Sequence, residues 1–463
     1  MKNSDYFHVL LDEENRKMKK KIPTKSCNQK VFTQENFFET IQMLKNVNLW
    51  GFKGYDASHY LYNTVLEYML LGRGDSFKLR GIISNFCFNS SMFFLKGKAN
   101  NKIVLFKSRK YLMRKDMTEI LNRFSNKISD VTVLKDELYH RSISFFFFFR
   151  IPYVLQWFFA LKHAGFDMKL IGLFLYDAMS TFRFLDYLKK NESKFAKSKA
   201  FIVLNDEYCD ENIFVQFGKK LKIPTATLQH GNYAKTIPDN NLRHLMHIFE
   251  NLTADKIFMW GDYHKEIAIS CGVAPERIES VGIPKYIDVE VPLKVKKKGI
   301  IGLLLDGCSK INYHSNIQMI NICKLFCKKN NYKYIVKLHP NDRENKYSSY
   351  YESECYVKTV ERDMAIYDFA SMVELCIMSK SSVYMELLFL GIPVFRFHNN
   401  CEKDIFEGLN DFKFSSYEEM EELIREMYFD RKKYISDFAQ VREYCCGKGN
   451  IRANYERAIN ELR

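Results

Sequence analysis

The chain has 463 residues, enough for two large domains or three ordinary ones, and its 47% hydrophobic and 27% charged residues, 9 Pro and 20 Gly exclude a disordered, collagenous or solenoid-repeat protein. Seventy Lys and Arg against 55 Asp and Glu leave a net charge of +15, which favours polyanions such as anionic lipid or phosphorylated substrates. The charge is scattered and no nucleic-acid-binding motif accompanies it, so nucleic acid is not an expected partner. Part of the surplus also reads as compositional bias, since Lys, Asn, Ile, Phe and Tyr are abundant together. Twelve Cys without a CxxC are too dilute for a disulfide scaffold or a zinc site, and are expected as reduced thiols.

In chain order, Met1 to Asp5 leads into the charged run Asp12 to Lys21 and not into an apolar leader, so a cytoplasmic protein is expected. Lys96, Lys98, Lys102, Lys107, Arg109, Lys110, Arg114 and Lys115 follow one another with no acid between them. They read as a basic surface that would lie on an anionic membrane face, giving a peripheral protein of the inner leaflet. The most apolar segment, Phe145 to Leu161, has 17 residues including Arg150, Pro152 and Gln156, short for a span. It fits a buried core element, or an interfacial helix that lays Trp157, Phe158 and Phe159 in the headgroup region; the core reading is favoured.

Up to about residue 200 the apolar runs settle into no single period. Beyond it strands and helices alternate. Apolar runs at 201–205, 224–229, 256–260 and 277–281 read as strands, with helices at 211–221 and up to Gly272. A lysine-rich stretch at 291–298 reads as a linker. A second series follows, with strands at 299–305, 333–338, 355–357, 373–378 and 392–395 and helices at 312–330, 364–370 and 381–390. The fold class expected is therefore α/β, two doubly wound (Rossmann-like) domains facing a cleft. Residues 1–290 make an acceptor-side domain, 299–415 a nucleotide-donor domain, and 416–463 helices that pack back over the interface.

In such domains ligands sit at the carboxyl ends of the strands. After the strand ending at Met378, Ser381 and Ser382 open a helix and would hold a phosphate, with Glu386 one turn on to accept from ribose hydroxyls. A plain N-cap is the competing reading, and the complete spacing S-S-x3-E-x4-G-x-P favours the site. After another strand come Lys337, His339 and Pro340, where an imidazole would face a phosphate leaving group. In the first domain His230, between Gln229 and Gly231, follows a strand end and would take a proton from an acceptor hydroxyl, with Gly231 allowing a tight turn. Asp206 and Glu207 after the neighbouring strand would orient that His or act as the base instead; as a helix-start acid pair they have an equally good structural reading.

These motifs in this order, together with Trp260-Gly261 and the Gly282-x-Pro284 turn, resemble the GT-B glycosyltransferases of bacterial capsule and surface-polysaccharide synthesis. The chain is similar to capsular Kdo transferases and bacterial sialyltransferases, and more distantly to teichoic-acid glycerophosphate polymerases, over about residues 200–400. The resemblance implies a nucleotide-sugar donor, a CMP-sugar first, and a glycan or lipid-linked glycan acceptor. It implies phosphate contacts for His339, Ser381 and Ser382 and a base at His230. The sialyltransferases' acidic motif, two acids followed by Gly, has no clean counterpart: Asp306-Gly307 resembles it but lies in the second domain, and Asp206-Glu207 lacks the Gly. No Asp-x-Asp metal site occurs in the matched region, so neither a tightly bound cofactor nor a divalent metal is expected. A CDP-polyol-dependent polyol-phosphate transferase and a non-catalytic scaffold of the assembly complex are the alternatives.

Overall fold

The computed structural model describes residues 34–47, 49, 55–71, 91–95, 98–108, 115–138, 151–233, 248–289, 299–307, 310–340, 346–399, 404–406, 408, 409 and 412–462. The first sheet contains β1 (Ser91–Leu95), β2 (Ile103–Lys107), β3 (Val131–Leu138), β4 (Ala200–Val203), β5 (Thr225–Leu228), β6 (Lys256–Met259) and β7 (Ile278–Ser280). Their spatial order is β1-β3-β2-β4-β5-β6-β7. Every pairing is parallel except that of β1 with β3, so an antiparallel edge strand joins the parallel layer expected from the sequence.

These strands are short β-branched and aromatic runs with both faces covered, as a parallel sheet requires. Alternate side chains enter different cores: Ile103, Leu105, Ile202 and Leu204 one, Val104, Phe106, Phe201 and Val203 the other, as a period of two dictates. Much of the aromatic content lies in the second core. Phe201 stacks on Phe214 of the helix Cys209–Lys220 at 4.3 Å, and Phe106 on Phe184 of the helix Met168–Lys190 at 4.8 Å. The order of the parallel strands reverses between β2 and β4, which places a switch point there.

The second sheet contains β8 (Ile300–Leu304), β9 (Lys333–Lys337), β10 (Tyr356–Val360), β11 (Leu375–Met378), β12 (Val394–Phe397) and β13 (Lys413–Phe414). All its pairings are parallel, in the order β10-β9-β8-β11-β12-β13. Counted within the domain this is 3-2-1-4-5-6, the dinucleotide-binding order, with its switch point between β8 and β11. The two sheets are Rossmann-like, as the sequence pattern indicates. The helix expected at 381–390 is shorter, Val383–Phe389, and β13 was not expected.

Three C-terminal helices, Tyr417–Phe429, Arg431–Cys446 and Ile451–Asn460, touch both domains. Cys446 Sγ donates to the Met385 carbonyl at 3.2 Å in the second, and Tyr455 Oη to the Gly282 carbonyl at 3.1 Å in the first. The approach is close: a Cβ on Gly282, whose φ is +101°, would stand 2.7 Å from Ile451 Cγ1.

Of the expected basic run, Lys96, Arg109, Lys110 and Arg114 lie outside the described residues. Lys107 is on β2, where its Nζ donates to Asn122 Oδ1 at 2.9 Å. The linker at 291–298 and the start of the phenylalanine-rich segment, 145–150, also lie outside. The rest of that segment forms the helix Ile151–His163, which buries Trp157 and Leu161 as the core reading expects; of the three residues expected at a membrane interface, Trp157 is buried in the core and only Phe159 is exposed. Among the described residues no helix is long and apolar enough to cross a membrane.

Candidate functional site

The turn after β5 is built around Gln229. Its side chain is buried; Oε1 accepts from the Trp260 amide at 2.7 Å, and Nε2 donates to the Gly231 carbonyl at 2.7 Å. The Trp260 indole donates back to the Gln229 carbonyl at 2.9 Å. Gln229 thus clamps the turn that presents His230 to the end of β6. The His230 ring lies half-buried with its centroid 5.9 Å from Tyr233 and 6.4 Å from Tyr208. Gly231 differs from expectation: its φ is not positive and an added Cβ would meet nothing within 4 Å. The turn does not need glycine there.

A residue that sequence reading missed holds the other end of this turn. His264 is fully buried on the helix Asp262–Ser270, and its Nε2 lies 2.9 Å from Asn232 Oδ1. Asn232 Oδ1 can only accept, so Nε2 carries the proton and the buried Nδ1 keeps its lone pair. Burial pushes the His264 pKa down to about 3, and the ring stays neutral.

Asp206 and Glu207 part company. The Asp206 carboxylate is closed off from solvent, and its Oδ2 accepts from the amides of Thr253 at 2.6 Å and Ala254 at 2.7 Å. Burial raises its pKa to about 6 against the pull of those amides. It latches the loop before β6 onto the end of β4, and an acceptor hydroxyl cannot reach it; the catalytic role expected of it is corrected to a structural one. Glu207 is also buried, with Asn205 Nδ2 donating to its Oε2 at 3.2 Å. It lies close enough to Tyr233 for its charge to add to the burial that raises that phenol's pKa, which puts it on the His230 side of the strand ends.

On the second domain the switch point gathers the ends of β8 and β11. Asp306 is buried there, and both of its carboxylate oxygens accept from the Lys380 amide at 3.1 Å. Burial raises its pKa to about 6 in spite of that bond and of the Lys380 charge. Beside it, a Cβ on Gly307 would stand 3.2 Å from His339 Nδ1, so the imidazole lies flush against the backbone after β8. Half-buried Ser381 accepts from the Val383 amide at 3.4 Å. Ser382 has helical φ and ψ of −60° and −15° and makes no cap bond. Pro340 is exposed.

One assignment is corrected here, and a second residue is found to serve the seam. Lys337 is buried and directs Nζ to the carbonyls of Arg362 at 3.0 Å and Glu361 at 3.5 Å; it ties β9 to a loop and is not a phosphate ligand. Glu386 is engaged in the seam through one of its two carboxylate oxygens. Its Oε2 accepts from Lys285 Nζ at 2.8 Å and Tyr286 Oη at 2.7 Å, both on the turn that follows Gly282 and Pro284. Tyr286 also stacks on Phe389 at 4.5 Å. Lys285 stands directly after the Gly-x-Pro motif, and its position there is the only signal of its role in the sequence.

These contacts join the carboxyl-end loop of β7 to the helix that follows β11. The carboxyl ends of the two sheets therefore meet along one seam, the side on which His230 and His339 follow their strands. Among the described residues no group of three or more His, Cys, Asp or Glu is placed to hold a metal ion.

No family model matches the sequence, and no curated protein matches it. Solved structures of similar shape include the UDP-GlcNAc 2-epimerase of Neisseria meningitidis bound to UDP-GlcNAc, at 13% identity over 78% of this chain and 100% of that one, TM-score 0.44. Others are the UDP-N-acetylglucosamine 2-epimerase of Rickettsia bellii, at 14%, 79%, 97% and 0.43, and the glycotransferase of kitacinnamycin, at 10%, 78%, 98% and 0.45. Likenesses of this size do not decide the chemistry, which rests on the chain's own residues.

Proposed function

We propose that the chain is a GT-B-type glycosyltransferase that moves a sugar from a nucleotide-activated donor, a CMP-sugar first among the candidates, to a growing bacterial capsule or surface polysaccharide. The observation that carries the reading is the seam: two Rossmann-like sheets turn their carboxyl ends toward one another, each with a histidine just past a strand. The donor would bind at the switch point of β8 and β11. His339 and the hydroxyls of Ser381 and Ser382 would donate to the departing phosphate, whose growing negative charge is what such donors stabilise more strongly in the transition state than in the ground state.

The acceptor, a glycan or lipid-linked glycan, would enter from the first domain with its hydroxyl at His230, the proposed base. Glu207, on the same side of the strand ends, would favour the imidazolium that forms as the proton moves. Gln229 holds that base in place through the Trp260 clamp. Gly282 and Pro284 shape the turn that carries Lys285 to Glu386, so they support the seam without touching substrate.

A thermal-shift series with CMP, CDP, UDP and GDP, followed by turnover with the stabilising nucleotide's sugar, tests this. CMP should stabilise most. His339→Ala should lose the shift, whereas His230→Ala should keep it and lose turnover, and EDTA should leave turnover unchanged. Phosphorus in the polymer would move the reading to a polyol-phosphate transferase. No nucleotide release with any donor would make the chain a non-catalytic scaffold.

A further inference from the structure

The helix Ile151–His163 is apolar on both faces. Trp157 and Leu161 fill the core of the first domain, and Val154, Phe158 and Ala160 pack partly against it. On the opposite face Leu155 and Phe159, one helical turn apart, stand 50% and 61% exposed. Pro152 lies on the same stripe, and the next helix opens with Met168 at 56%. A single exposed apolar side chain is ordinary, whereas large ones aligned along one helix call for a partner. The helix carries no acid, and exposed Lys162, His163 and Lys169 surround its C-terminal end; the exposed acid among them, Asp167, caps the next helix, accepting from the Lys169 amide at 2.8 Å.

We propose that this face docks on an anionic bilayer, with Leu155, Phe159 and Met168 entering the acyl boundary and Lys162 and Lys169 lying on the headgroups. The charge arrangement favours a membrane over a second copy of the chain. A second copy would bring together two chains that each carry +15. Three side chains also fall well short of the roughly 800 Å² per partner that a stable protein interface buries. Shallow, reversible insertion of a few apolar residues flanked by lysines is how interfacial helices bind, and it needs both components. The surface lies outside the residues proposed for transfer, so the two readings stand or fall separately.

Co-sedimentation of the full chain with phosphatidylglycerol-containing vesicles, against pure phosphatidylcholine, is the test. The chain should bind the anionic vesicles, and Leu155→Asp/Phe159→Asp should weaken that binding at least tenfold. The melting temperature and the nucleotide-induced shift should be unchanged, because both side chains point outward. Lys162→Glu/Lys169→Glu should weaken it as well, and high salt should mimic that loss. Undiminished binding by the Leu155→Asp/Phe159→Asp variant overturns the proposal. So does a wild-type dimer in solution that the same variant converts to monomer, since the face would then belong to a second copy.

Discussion

Lys285 and Glu386 meet at 2.8 Å across the seam, one from each doubly wound domain. Both side chains are mostly buried, and Glu119 adds a second carboxylate 3.5 Å from the same ammonium. Removing one partner of a buried pair leaves the other charge uncompensated, so Lys285→Met should cost about 3 kcal/mol of stability, and Lys285→Met/Glu386→Leu should restore much of it. Urea denaturation reads both. Burial alone would lower the Lys285 pKa; Glu386 and Glu119 outweigh it and hold the group above its ordinary 10.5. Its contribution is therefore complete below pH 10.5 and is lost as pH rises through the higher folded value. The gap between wild type and Lys285→Met should close in strong alkali. Glu386→Gln also separates two roles: weaker nucleotide binding means the carboxylate serves ribose as well as Lys285, and unchanged binding means it serves the seam alone.

Asp206 and Asp306 reverse the usual carboxylate behaviour. With Asp206 raised from 3.8 to about 6, the folded protein keeps a proton that the unfolded chain releases between those values. Stability should thus fall as pH rises from about 4 to about 6 and then level off. Asp306 shifts alike, so Asp206→Asn should remove about half of that slope. The amide still accepts from Thr253 and Ala254, and Asp206→Asn should otherwise fold and turn over normally. Asp206→Ala leaves two buried amides without an acceptor and should cost about 2 kcal/mol. A stable but inactive Asp206→Asn protein would return Asp206 to the chemistry.

The strands from β4 to β12 were legible because buried parallel strands are short apolar runs set between helices, and each ends on a polar turn. The region before β4 was not. Its helices Ala57–Leu71 and Ile151–His163 are apolar on more than one face, which erases the helical period, and β1 pairs antiparallel at an edge. His230 and His339 were legible as residues just past strands. The partners that position them were not: Lys285 and Glu386 lie 101 positions apart, Asn232 and His264 32 apart, and no local pattern links such pairs. Asp206 read as a base because an acid after a strand looks the same in sequence whether solvent reaches it or backbone amides enclose it.

Two glycines of the expected site should respond in opposite ways to the same change. Gly282→Ala forces a side chain into a backbone at φ +101° and into Ile451 at 2.7 Å. It should cost about 2 kcal/mol or more and loosen the last helix, which thermal melting and proteolysis of the C terminus would both report. Gly231→Ala meets open space at an ordinary φ. Its melting temperature should stay within error of wild type, and turnover should persist if the turn is held by Gln229.

The buried His264 side chain meets Asn232 at 2.9 Å and packs edge-on against Trp260 at 5.8 Å, and both of those residues hold the turn that carries His230, so His264 is a positioning residue with a distinctive signature. With its pKa pushed down to about 3 by burial, it adds no ionisation to a turnover profile above pH 4. His264→Leu removes the donor to Asn232 at nearly constant volume. Displacing a catalytic group by an ångström costs on the order of a hundredfold, so kcat should fall tenfold to a hundredfold while nucleotide binding is kept. His264→Gln places an amide N–H where Nε2 stood and should retain most of the rate. Asn232→Leu should match His264→Leu, and His264→Leu/Asn232→Leu should be no slower than either, because the three proteins lose one and the same bond. Losses that multiply in the double variant would show that the two residues act separately. If His230→Ala retains turnover, the base lies elsewhere, whatever the His264 series gives.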